Sequence, residues 1–102
     1  NEMDWANSVN WMTSITVDPT VAPFNRIDLE NYLINNKVET RRLFVGLNRQ
    51  PALQNLNIDC SGNFPVSNYL SDNGLYLPTS PNLTKHTVEF ICSLIKELYY
   101  KK

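Results

Sequence analysis

Residues 74–98 read GLYLPTSPNLTKHTVEFICSLIKEL, placing a short strand, a proline stop and a long amphipathic helix in immediate succession. Leu75, Tyr76 and Leu77 favour a pleated strand, Pro78 ends it, and Thr84 stands where a helix cap is wanted. Behind that cap Val88, Ile91, Cys92, Ile95 and Leu98 recur at three- and four-residue intervals, while Glu89, Lys96 and Glu97 lie off the stripe. The spacing predicts a helix that buries one face. Lys85 and His86 in its first turn oppose the helix dipole, an effect of ~0.3 to 1 kcal/mol at an exposed site.

Upstream of this unit, Pro65 suits the first turn of a shorter helix expected to bury Val66, Tyr69 and Leu70. Gly74 is expected to end that helix in the left-handed conformation. Residues 48–62 show no sustained periodicity and read as a loop through Gln50-Pro51, with a short helical turn around 52–56. Residues 38–45 read as a strand, which sends Arg41 and Arg42 to opposite faces. Before it, Asn25 caps a helix running to about Asn36, with Asp28 in its first turn and Phe24 placed to staple onto Leu29. Its inward stripe is Leu29, Tyr32 and Leu33.

Residues 9–17 form the remaining strand: Val9, Trp11, Ile15 and Val17 alternate with Asn10, Ser14 and Thr16, and Asp18-Pro19 stops the run. Met12 and Thr13 break the alternation. Strand, helix, strand, helix, strand, helix gives an α+β fold: a small, mostly antiparallel sheet of three to four strands, covered by helices on one face, in a single domain over residues 1–102.

A chain of 102 residues with 42% hydrophobic and 19% charged side chains is an ordinary globular domain. A formal net charge of -1 does not steer polyanions, so nucleic-acid binding by bulk charge is not expected. No apolar run approaches the roughly 18 residues that cross a bilayer, and the polar start at Asn1 lacks the features of a secretory signal. A cytoplasmic protein without membrane contact is expected. Cys60 and Cys92 lack the paired spacing of a zinc site or redox motif and are too few for a disulfide framework. In that compartment the sequon at Asn82-Leu83-Thr84 is only a helix start.

The chemistry-bearing residues are sparse. His86 is the sole histidine and sits on a polar helix start, with Glu89 a turn away as an ordinary surface pair. The glycines are Gly46, Gly62 and Gly74, too dispersed for a phosphate-cradling loop, and no metal-ligand cluster is present. Lys37, Lys85, Lys96, Lys101 and Lys102 lie at helix ends, on a polar face or in the tail, where nothing would desolvate an amine and lower its pKa. The chain by itself is not expected to be catalytic. Lys37, Arg41, Arg42 and Arg49, opposed only by Glu39, leave one locally positive strand and loop, with Asn48 and Gln50 as amide donors. Arginine forks there suit phosphate or carboxylate, against the bland alternative of a solvated strand face or pairing with acids elsewhere.

Glu39-Thr40-Arg41, Gln50-Pro51, Phe64-Pro65-Val66, the Gly-Leu-Tyr-Leu-Pro run from Gly74 to Pro78 and the following Leu83-Thr84 resemble, in that order, the closing segment of the DegT/DnrJ sugar aminotransferases. Trp5-Ala6 with Trp11-Met12 is similar to that segment's entry strand. The resemblance implies the C-terminal small domain of a fold-type I enzyme using pyridoxal phosphate, with the aldimine lysine in an upstream domain. It implies transfer of an amino group from glutamate to a nucleotide-linked keto sugar, a homodimer, and products that feed polysaccharides. Substrate contacts are then expected from Arg41, Asn48, Arg49 and Gln50, with no catalytic residue and no cofactor in this segment.

Where the family's loop often has Pro-Leu-His, this chain has Gly46, Leu47 and Asn48, which leaves hydrogen bonding but no titratable group. A related branch, the sugar 3-dehydratases, also has glycine at the place of Gly46, though the Gly-Leu-Tyr-Leu-Pro run is closer to the aminotransferases. A free-standing interaction module whose basic strand docks an acidic partner is the alternative from another class.

Overall fold

The computed structural model describes residues 3–9 and 11–101. Asn1 at the polar start, Asn10 in the first alternation and Lys102 in the tail lie outside the described residues. The elements run β1 (Ser14–Thr16), α1 (Arg26–Asn35), β2 (Arg41–Arg42), a 3-10 turn at Leu47–Arg49, α2 (Pro51–Asn55), α3 (Pro65–Asn73), β3 (Gly74–Tyr76) and α4 (Lys85–Lys101). The fold is α+β, with a three-stranded antiparallel sheet in the order β1-β3-β2. Ser14, Ile15 and Thr16 face Tyr76, Leu75 and Gly74, and Arg41 and Arg42 face Tyr76 and Leu75.

Paired residues share a face, so this register sorts the sheet. Ile15 and Leu75 point to the side covered by α1 and α4, where Leu29, Leu33, Leu75, Ile91, Leu94 and Leu98 form the heart of the core. Leu29, Leu33 and Leu75 are fully buried. Ser14, Tyr76 and Arg41 point to the other side, which neither long helix covers.

Local signals placed α1. Asn25 Oδ1 accepts from the Asp28 amide at 2.9 Å while Asp28 Oδ2 accepts from the Asn25 amide at 3.1 Å, a reciprocal box that satisfies two otherwise orphaned donors. Phe24 and Leu29 are both buried in the core, as the staple requires. At the other end the Lys37 amide bonds the Ile34 carbonyl and the Val38 amide bonds the Leu33 carbonyl, with Lys37 left-handed at φ 64°. That is a Schellman motif sealed by Leu33 and Val38. It corrects the expected strand over 38–45: Val38 belongs to the helix stop, and strand pairing is confined to Arg41–Arg42. Asn57, at φ 58°, ends α2 in the same way, with the Ile58 amide bonded to the Leu53 carbonyl.

Four further expectations are corrected. The first strand is shorter than 9–17, and Val9 and Trp11 are exposed, because only Ser14–Thr16 has β3 to pair with. The α3 face carrying Val66, Tyr69 and Leu70 is exposed, and Ser71 is that helix's buried residue. Gly74 is extended at φ -97°, so α3 runs directly into β3. Its lack of a side chain serves close approach instead: a Cβ there would lie 1.7 Å from Leu43 Cδ1 and 2.6 Å from the Leu70 carbonyl oxygen. On α4, whose first turn Thr84 caps through the Thr87 amide at 3.1 Å, Leu94 is buried whereas Val88 and Cys92 are exposed.

Surface dimensions set this chain apart from an ordinary domain. A compact protein of 11.8 kDa has about 5,900 Å² of accessible surface; this one has 7955 Å². Its radius of gyration is 16.4 Å, against about 13 Å for a compact chain of this length. Nine hydrophobic side chains are buried, while twenty large ones are exposed among the described residues. Much apolar surface thus faces solvent in this structure.

Candidate functional site

The loop after β2 is fastened along α3 by its own polar groups. Ser71, buried on α3, accepts from the Gly46 amide at 3.0 Å and donates to the Phe44 carbonyl at 3.2 Å. Asn48 Nδ2 donates to Asn68 Oδ1 at 3.1 Å, and Gln50 Nε2 closes the loop on the Val45 carbonyl at 2.8 Å. Arg49 forks onto Asp72, with Nη1 to Oδ1 at 2.7 Å and Nη2 to Oδ2 at 3.4 Å. This hydrogen bond holds the Asp72 carboxyl below the ordinary carboxylate range, with the charges of Arg49, Arg42 and Arg26 adding and desolvation opposing. The Arg49 guanidinium is raised in turn, first by the same bond.

A buried cation braces the opposite end of that network. Arg26 is 8% exposed, donates from Nε to the Asp72 carbonyl at 2.8 Å and pairs with Glu30 at 2.5 Å. Charge inside the fold is therefore neutralised and hydrogen-bonded, which an isolated buried guanidinium could not be.

Of the four residues expected to contact substrate, Asn48, Arg49 and Gln50 are gathered in one turn, and each spends side-chain donors inside the fold, Asn48 and Arg49 on α3 and Gln50 on the loop itself. Arg41 stands apart on β2. It is exposed, lies on the open side of the sheet in register with Tyr76, and has no ion pair or hydrogen-bond partner among the described residues. Arg42 falls on the helix side but at the sheet's outer edge, where it is also exposed.

Sequence reasoning missed the aromatic setting of Arg41. Tyr76 is met edge-on by Phe44, ring centres 5.6 Å apart, and by Trp11 at 6.4 Å. Phe44 is 70% and Trp11 66% exposed. Beside them a cleft of about 430 Å³ is lined by Ser14, Thr16, Leu43, Phe44, Leu70 and Tyr76 among others. A second groove of about 910 Å³, which Tyr76 also lines, takes in Arg41, Lys37 and Glu39 together with Ile34 of α1 and Thr87 and Ile91 of α4. Asp72 as the arginine's partner was equally invisible, since 23 residues separate it from Arg49.

A pyridoxal phosphate aldimine needs an amine screened from water. Lys37, Lys85, Lys96 and Lys101 are all exposed; Lys85 and Lys101 make surface pairs with Glu89 and Glu97 at 3.8 and 3.9 Å. No described lysine fits that role. His86 is exposed as well, and Cys60 and Cys92 are free thiols. No helix among the described residues is long and apolar enough to cross a membrane.

Comparison with known proteins gives this arrangement its context. Over 89 residues, 87% of its length, the chain is 34% identical to a GDP-perosamine synthase of Vibrio cholerae, and over 92 residues, 90% of its length, 30% identical to a GDP-perosamine synthase of Escherichia coli O157:H7. In both cases it spans 23% of the relative. Residues 1–96 match the model of the DegT/DnrJ/EryC1/StrS aminotransferase family, and the chain belongs to that family.

Proposed function

We propose that this chain serves as the C-terminal domain of a pyridoxal phosphate-dependent aminotransferase that moves an amino group from glutamate to a nucleotide-linked keto sugar. The match to the family over residues 1–96 carries the reading, and the relatives' name, GDP-perosamine synthase, supports a nucleotide-linked sugar as substrate class and favours aminotransfer over the 3-dehydratase alternative. The amine that holds the cofactor comes from elsewhere in the enzyme, since the described lysines are solvated. Within this domain Arg41 is the group left open for an anionic substrate: a fork on a strand next to an aromatic cluster, already facing outward. Asn48, Arg49 and Gln50 shape the adjoining loop, and the groups left over from their internal bonds complete the contact. The enzyme works in the cytoplasm as a homodimer.

The test uses the polypeptide encoded by the gene in which these residues occur. Given glutamate and a nucleotide-linked keto sugar, it releases 2-oxoglutarate, and Arg41→Ala raises KM for the sugar nucleotide about tenfold or more with a smaller change in kcat, as loss of a charged contact requires. Residues 1–102 alone bind no pyridoxal phosphate. A visible absorption band formed by those residues alone, or unchanged kinetics in Arg41→Ala, contradicts the assignment.

A further inference from the structure

We propose that Ser71 is a positioning residue for the sugar nucleotide: its hydroxyl, on the polar side of α3, fixes the turn through which Asn48, Arg49 and Gln50 reach the substrate. The inference rests on the functional reading above, which assigns that contact to the turn.

Helix α3 is turned the opposite way from an ordinary surface helix. Ser67, Asn68, Ser71 and Asp72 recur along one side at helical spacing, and this polar side receives the loop, whereas Val66, Tyr69 and Leu70 are exposed. Polar groups therefore choose how the loop lies.

The bonds follow the loop in order. Backbone pairing with β3 ends where the Leu43 amide meets the Gly74 carbonyl at 3.4 Å. Ser71 takes over from there, its one hydroxyl accepting from the Gly46 amide and donating to the Phe44 carbonyl, so that two backbone groups beyond the strand are met at once. Gly46 lies too close to the helix for a side chain, since a Cβ there would stand 2.3 Å from Ser67 Oγ and 2.8 Å from Asn48 Oδ1. The 3-10 turn hangs from this point, its Arg49 amide bonded to the Gly46 carbonyl at 2.9 Å.

Burial decides which bond sets the turn. The Arg49 and Asp72 side chains are 38% and 52% exposed, and an ion pair so open to water holds its partners weakly. Ser71 is 2% exposed, where water does not compete for the hydroxyl. Removing that hydroxyl frees the turn while the core, to which no residue of α3 belongs, stays packed. A turn that grips the substrate away from the reacting carbon then gives up binding alone, which raises KM and spares kcat.

In the gene product, Ser71→Ala and Ser71→Thr are compared with the unsubstituted protein by amide hydrogen exchange and steady-state kinetics. Gly46 loses its acceptor in Ser71→Ala in any case; the informative amides are Arg49 and Gln50, whose bonds to the Gly46 and Leu47 carbonyls are made without the hydroxyl. Both exchange about tenfold faster or more in Ser71→Ala, and KM for the sugar nucleotide rises about fivefold or more while kcat and KM for glutamate hold. Ser71→Thr keeps the hydroxyl, has the adjoining cleft to receive its methyl, and restores both readouts. Unchanged exchange at Arg49 and Gln50, no recovery in Ser71→Thr, or a fall in kcat at constant KM, as a smaller folded fraction produces, overturns the inference. Should Ser71→Ala prevent folding, Ser71→Cys fills the same space with a weak hydrogen-bonding group and is read in the same way. Because exchange needs no turnover, a loosened turn in an enzyme inactive on keto sugars keeps Ser71 as the anchor and rejects the reaction.

Discussion

The two faces of one small sheet follow opposite rules. On the helix side Leu75 shares one core with Leu29, Leu33, Ile91, Leu94 and Leu98 and is wholly removed from water; on the other, Tyr76 is flanked by Trp11 and Phe44, both more than half exposed. Neighbouring residues of a single strand thus differ in what they complete. Leu75 completes the fold. Tyr76, with Arg41 beside it in register, presents a surface that the fold itself does not use.

The contrast can be broken from the buried side first. Leu33→Ala removes a fully buried side chain that also seals the Schellman stop of α1, and its expected cost is ~2–5 kcal/mol. In a domain this small each kcal/mol lowers Tm by about 4–8 °C, so thermal melts resolve it readily. Gly74→Ala acts at the seam between the two faces, where the new methyl meets the Leu70 backbone oxygen as well as the movable Leu43 side chain. Overpacking there costs ~1–3 kcal/mol, and urea titration measures it.

Asp72→Asn has a smaller, pH-dependent effect. The carboxyl is depressed in the folded state by Arg49, so its contribution is fully present above the unfolded value of about 3.9 and fades as pH falls through the lower folded value. At pH 7 the variant is the less stable and its loop amides exchange faster. Below about pH 4 the two proteins converge, and a gap that persists in acid assigns the effect to packing instead of charge. Phe44→Ser changes least: stability of residues 1–102 stays within about 0.5 kcal/mol, because the ring is already in water. A loss comparable to that of Leu33→Ala would erase the distinction between the faces.

What could be read from the chain divides along the same line. The box at Asn25 and Asp28, the Phe24 staple and the stripe through Ile91 and Leu98 rest on residues a turn apart, so local rules suffice for α1 and α4. Strand limits depended on partners far along the chain: β2 shrank to Arg41–Arg42 because Val38 is claimed by the stop of α1. Val66, Tyr69 and Leu70 have the spacing of a buried face, and periodicity identifies such a face without saying whose core it joins. At the site, Arg41 was legible as an unopposed cation on a strand. The occupation of Arg49 by Asp72, and the aromatic row around Tyr76, arise only when α3 and the three strands come together.

Hydroxyl-radical labelling of Trp11 and Phe44 tests the central claim most directly, comparing residues 1–102 alone with the same residues inside the gene product and using Tyr100, 82% exposed, as reference. A face made to lean on the rest of a sugar aminotransferase predicts that both rings react as fast as Tyr100 in the separate chain and at least fivefold more slowly in the gene product. Equal labelling of Trp11, Phe44 and Tyr100 in the gene product would contradict it.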